Sequence, residues 1–91
     1  MAKTLVKKRL VACATVIDRV KSIYEWKGKM VQESEVLIIM KTTAAGYPML
    51  ERAIKALHPY EVPEIIGISL RYGFPPYLAW IFAQANRSKQ N

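Results

Sequence analysis

The period of the apolar positions changes several times along the chain, and each change predicts an element. Leu50, Ala53, Ile54 and Leu57 recur at i, i+3, i+4 and i+7, with Glu51, Arg52 and Lys55 on the other face. That is the pattern of an amphipathic helix. Gly46 and Pro48 open it. Pro59 has no N–H and drives His58 out of the helical region, so the helix ends there. Ile65, Ile66, Ile68 and Leu70 then form a β-branched run that predicts a buried strand. Pro59 and Pro63 stiffen the connector between helix and strand.

The same reading extends to both ends. Leu5, Val6 and Leu10 among lysines predict a short helix over 3–10, with no N-cap ahead of it. Residues 11–17, small and β-branched, read as a strand. Val20, Ser22, Tyr24 and Trp26 alternate with Lys21, Ile23, Glu25 and Lys27 as a half-exposed strand with an aromatic face. Lys27-Gly28-Lys29 is the hairpin turn. Residues 35–42 return as a strand whose unbroken apolar stretch, 36–40, asks for cover on both faces. After a turn at Tyr72-Gly73-Phe74-Pro75-Pro76, residues 77–85 form a last helix. Tyr77, Leu78, Trp80, Ile81 and Phe82 leave that helix no wet face, so a partner subunit is expected to cover it.

The order α-β-β-β-α-β-α points to an α+β domain of the ferredoxin-like, split βαβ kind, an antiparallel sheet with helices on one face. The first strand of that plan has no counterpart in the sequence. It would lie between 36–40 and 65–70. Those two segments are therefore expected to pair with each other or to present unpaired edges.

At 91 residues the chain is expected to be one domain over 1–91, with a polar tail at 86–91. A hydrophobic share of 52% argues against disorder. The longest apolar run is too short to span a bilayer, and no secretory signal is visible. One cysteine, Cys13, implies a reducing compartment. Cytoplasm is the expectation, with an organelle as the alternative because the first seventeen residues are basic and free of acid.

Charge opens a second reading. The net charge is +7, and eight of the fourteen basic residues lie at or before Lys29. With Tyr24, Trp26 and Tyr60 nearby, this suggests a nucleic-acid surface, but the strands lack the aromatic pattern of an RNA-recognition sheet, so none is expected. Catalysis is not expected either, for want of a nucleophile-base pair, a Gly-rich phosphate loop or a close carboxylate pair. Metal is the remaining candidate. His58 and Cys13 are good borderline-to-soft ligands, and Glu61 or Glu64 adds an oxygen. A structural role for His58 as a helix terminator competes with it.

Four stretches then resemble one family. Ser22-Ile23-Tyr24-Glu25-Trp26-Lys27-Gly28-Lys29, Ser34-Glu35-Val36-Leu37-Ile38-Ile39-Met40-Lys41-Thr42, His58-Pro59-Tyr60-Glu61-Val62-Pro63-Glu64-Ile65-Ile66 and Tyr77-Leu78-Ala79-Trp80 are similar in order and spacing to the CutA divalent-cation tolerance family. The resemblance implies a ferredoxin-like subunit in a PII-like homotrimer. It implies no enzymatic reaction, no obligatory cofactor, and binding of Cu²⁺ or another divalent cation in metal tolerance. Among mammalian relatives it also implies a protein partner, through acetylcholinesterase anchoring. By position, His58 falls on the histidine that bacterial members use as a copper ligand, and Cys13 on the cysteine of the family's Ala-Ala-Cys strand. Trp26, Lys41, Tyr60 and Glu61 fall in the cleft between subunits. The aromatic Tyr24, Trp26, Tyr77 and Trp80, with the aliphatic Ile81, are the expected trimer contacts. Asp18-Arg19 stands where the family usually has Pro-Gly, and Leu57 where some members have a second histidine.

Overall fold

The computed structural model describes residues 1–58 and 63–86. In chain order they form helix α1 (Ala2–Lys7), strands β1 (Cys13–Trp26) and β2 (Lys29–Lys41), and helices α2 (Tyr47–Leu57) and α3 (Pro75–Asn86). The class is α+β, as the sequence predicts.

Helix α1 stops by chain geometry rather than by glycine. Leu10 N–H donates to Leu5 O and Arg9 N–H to Val6 O, each at 3.0 Å, with Arg9 in the left-handed region at φ 62°. This is a Schellman closure, and its usual apolar contact is present because Leu10 packs on the cluster that contains Leu5. The Arg9 guanidinium donates to Gln84 Oε1 at 2.6 Å, which ties the end of α1 to α3.

The two strands predicted at 11–17 and 20–26 are one. β1 pairs antiparallel with β2 from Cys13↔Lys41 to Trp26↔Lys29, with a register shift between Ile17 and Val20. There Asp18 and Arg19 oppose a single β2 residue, Val36. A β-bulge absorbs the extra residue, with Arg19 at φ 62°. At the far end Lys27 (φ 52°) and Gly28 (φ 78°) make the two-residue turn with both central residues left-handed. That turn matches the twist of a tight hairpin.

The main core lies under α1 and α2. Leu5, Val11, Leu50 and Ile54 are buried together, with Leu10, Met40, Ala53 and Ile65 packed around them. Ala12, Ile81 and Ala85 form a second, smaller cluster that seats α3.

Two expectations need correcting. Residues 65–70 run as backbone outside any ladder among the described residues. The apolar stretch of β2 is not covered on both faces: Val36, Leu37 and Ile39 are about half exposed. Among the described residues the sheet has only β1 and β2, and the core under the helices takes up Met40 but leaves these three side chains half uncovered.

Candidate functional site

The candidate residues collect at three places. At the base of the ribbon, Cys13 opens β1 and lies opposite Lys41, the last residue of β2. Strand alternation puts Thr15 on the same face as Cys13. Lys41 Nζ therefore donates to Thr15 Oγ1 at 3.0 Å and lies 3.9 Å from Cys13 Sγ. An ammonium so close opposes a second cation at that sulfur.

At the end of α2, His58 is half-buried. Its backbone turns extended (φ −84°, ψ 136°) and its N–H donates to Ile54 O at 2.8 Å. The partial negative charge of the helix C-terminus favours a cation there. Tyr60 and Glu61, which the sequence places beside His58, lie outside the described residues. Among the described residues no three of His, Cys, Asp and Glu are grouped as a metal cage.

The third place is the aromatic surface. Trp26 is 61% exposed at the hairpin tip, with Lys27 Nζ 6.0 Å from its ring centroid. Tyr24 Oη donates to Glu33 Oε1 at 2.9 Å across the ribbon. On α3 the Tyr77 and Trp80 rings stack at 5.8 Å and face outward, while Ile81 turns in against Ala12 and Ala85. So α3 has one narrow buried stripe, and Ile81 anchors it rather than presenting it.

Two polar features escaped the sequence reading. Tyr47 Oη donates to Glu51 Oε2 at 2.9 Å, a bond that their i, i+4 spacing on α2 announces. This hydrogen bond, then slight desolvation and the Glu51 charge, hold the Tyr47 phenol above its ordinary value. The Arg9–Gln84 bond spans 75 positions and has no local signal. Among the described residues no helix is long and apolar enough to cross a membrane.

Comparison with known proteins completes the site's context. Residues 1–84 match the family model described as CutA1 divalent ion tolerance protein. Protein CutA of Mus musculus is 46% identical over 81 residues, which is 89% of this chain and 46% of the mouse protein. The chain thus spans about half the length of that relative. The solved Cut A1 divalent cation tolerance protein from Thermus thermophilus superposes with a TM-score of 0.86 at 42% identity, covering 91% of this chain and 81% of that one. The PII-like protein CutA from Nostoc sp. gives 0.85 at 35% identity, over 92% and 82% respectively.

Proposed function

From the premise that the chain belongs to the CutA1 divalent ion tolerance family, we propose that it is a non-enzymatic homotrimer that binds a divalent cation, Cu²⁺ above others, in metal tolerance. The observation that carries the trimer is exposed apolar surface. The chain exposes 7537 Å², against about 5,400 Å² expected of a folded monomer of its mass. The excess is of the order that a stable oligomer buries. Its apolar part includes Val16, Val36, Trp26, Tyr77, Trp80 and Phe82.

The metal is held at His58 in this reading. The imidazole is the single nitrogen ligand of its kind in the chain and sits at the negative end of α2. Glu61, three residues on, supplies an oxygen or orients the ring. Cys13 is the lesser ligand because Lys41 stands beside its sulfur. Trp26, Lys41, Tyr60 and Glu61 line the cleft between subunits, where several copies of these donors meet. By the usual order of affinities Cu²⁺ outcompetes Zn²⁺. Binding weakens as pH is lowered, because a protonated imidazole cannot coordinate.

Calorimetry of the wild-type protein and His58→Ala with Cu²⁺ at neutral pH tests this. At least a tenfold loss of affinity in the variant is expected, with Cys13→Ser much closer to wild type. Unchanged affinity and stoichiometry in His58→Ala would leave His58 only a helix terminator.

A further inference from the structure

Cys13, Thr15 and Lys41 close into a cluster at the base of the ribbon that the reading at His58 leaves idle. Cys13 and Lys41 are register partners across β1 and β2, and Thr15 shares the face of Cys13. Lys41 Nζ lies 3.9 Å from Cys13 Sγ and donates to Thr15 Oγ1 at 3.0 Å, and Thr15 Oγ1 is 4.0 Å from the sulfur. A thiol and a primary amine thus sit in contact. Both are nucleophiles, so neither attacks the other while the sulfur is reduced. Oxidation reverses the role of the sulfur.

The backbone holds the pair together. Ala12, just before Cys13, is buried with Ile81 and Ala85, and its N–H donates to Lys41 O at 2.7 Å. Met40, just before Lys41, packs on the Leu5 core, and Thr42 Oγ1, just after it, donates to Leu10 O at 2.9 Å. The freedom left is in the flexible stem of the lysine, which carries Nζ to the sulfur without moving the sheet. Its hold on Thr15 is one hydrogen bond to a neutral hydroxyl, which the amine can leave. Cys13 is half-buried, reachable by a small oxidant and sheltered from a bulky one. The sequence has no second cysteine, so an oxidised Cys13 has no thiol of its own chain to close on. Lys41 is the nucleophile beside it.

From this geometry we infer that Cys13 and Lys41 form a redox-closed crosslink: a peroxide converts the thiol to a sulfenic acid, which condenses with the lysine amine to a sulfenamide. In the first step the sulfur attacks hydrogen peroxide. The O–O bond breaks, an S–O bond forms and water leaves, with sulfur oxidised and peroxide reduced. In the second step the ammonium gives one proton to solvent, and the nitrogen lone pair attacks the sulfur. The S–O bond breaks, and the departing hydroxide takes a second proton from nitrogen and leaves as water. No further oxidant is consumed. Two external thiols reverse the bond, restoring thiol and amine and leaving as a disulfide. Closure removes one positive charge and one thiol from the base of the ribbon and ties the start of β1 to the end of β2. It requires no metal, so it stands apart from the reading at His58.

The test is peptide mapping of the whole protein, kept metal-free with a chelator, after millimolar hydrogen peroxide and without added reductant. Trypsin is expected to stop cutting after Lys41. Residues 10–19 are expected joined to 30–52 at their summed mass less two hydrogens, once methionine oxidation is allowed for. Dithiothreitol should restore the cut and both separate peptides. Lys41→Arg keeps the charge but replaces the amine with a guanidinium that stays protonated. The linked peptide should then vanish, and trapping of the Cys13 sulfenic acid by dimedone should rise at least threefold. Dimedone trapping unchanged in Lys41→Arg would overturn the proposal. So would a wild-type protein that accumulates sulfinic acid, or a disulfide between two copies, at Cys13 while trypsin still cuts after Lys41. That second outcome needs no variant, so it holds whether or not Lys41→Arg folds.

Discussion

The β1–β2 ribbon and residues 65–70 are both rich in large aliphatic side chains, but they do not have one structure. The ribbon is paired from Cys13↔Lys41 to Trp26↔Lys29. Residues 65–70 have no partner among the described residues and form no strand. Composition fits both to a pleated, half-buried surface, but a strand exists only where a second edge supplies its hydrogen bonds. The ribbon has that edge across a two-residue turn, which Lys27 and Gly28 close. Residues 65–70 need theirs from far away, and the Leu5 core and the Tyr47 ring hold them in position.

That contrast can be broken at its shared support. Leu5 is fully buried and touches the cluster on which both Met40 and Ile65 lean. Leu5→Ala should cost about 2–5 kcal/mol in denaturant unfolding at fixed protein concentration. Limited proteolysis at 66–70 should speed up more than at the ribbon tip, since core packing of Ile65 and the Tyr47 ring restrain that segment without backbone hydrogen bonds among the described residues. The ribbon itself should fail at its turn. Gly28→Val finds open space but must hold φ 78°, at a cost of about 1–2 kcal/mol, read as a lower melting temperature. The bulge sharpens the comparison in the opposite direction. Arg19→Gly relieves a left-handed residue, and should gain about 0.5–1 kcal/mol after the added backbone entropy of glycine.

The smallest effect is a titration. Tyr47, whose ring supports Gly67, has its pKa raised by the hydrogen bond to Glu51. A folded-state pKa above the unfolded value means that this contribution to stability is fully present below the ordinary phenol range. It is lost as pH rises through the raised value. Glu51→Gln should bring the Tyr47 ultraviolet titration back down toward ordinary phenol behaviour, with little change in stability at neutral pH.

The helices, the hairpin turn and the aromatic exposure were legible in sequence because each rests on local spacing. Leu50, Ala53 and Ile54 mark the buried face of α2, with Leu57 half exposed at its end, and Lys27-Gly28 marks the turn. The bulge was visible only as Asp18-Arg19 in an otherwise β-branched run, since a register shift belongs to two strands at once. Residues 65–70 misled because a β-branched run carries no information about whether an edge is waiting for it. At the candidate site, His58 was legible from Pro59 and the helix period. The closeness of Lys41 to Cys13 was not, because it depends on the register that joins residues 28 positions apart.

The central claim is that the exposed apolar surface of the ribbon and α3 belongs to an assembly of three identical chains. Light scattering on the purified protein at micromolar concentration tests it most directly. The account predicts a monodisperse species at three times the chain mass of 10.4 kDa. A monodisperse species at the single-chain mass, with native circular dichroism, would contradict it.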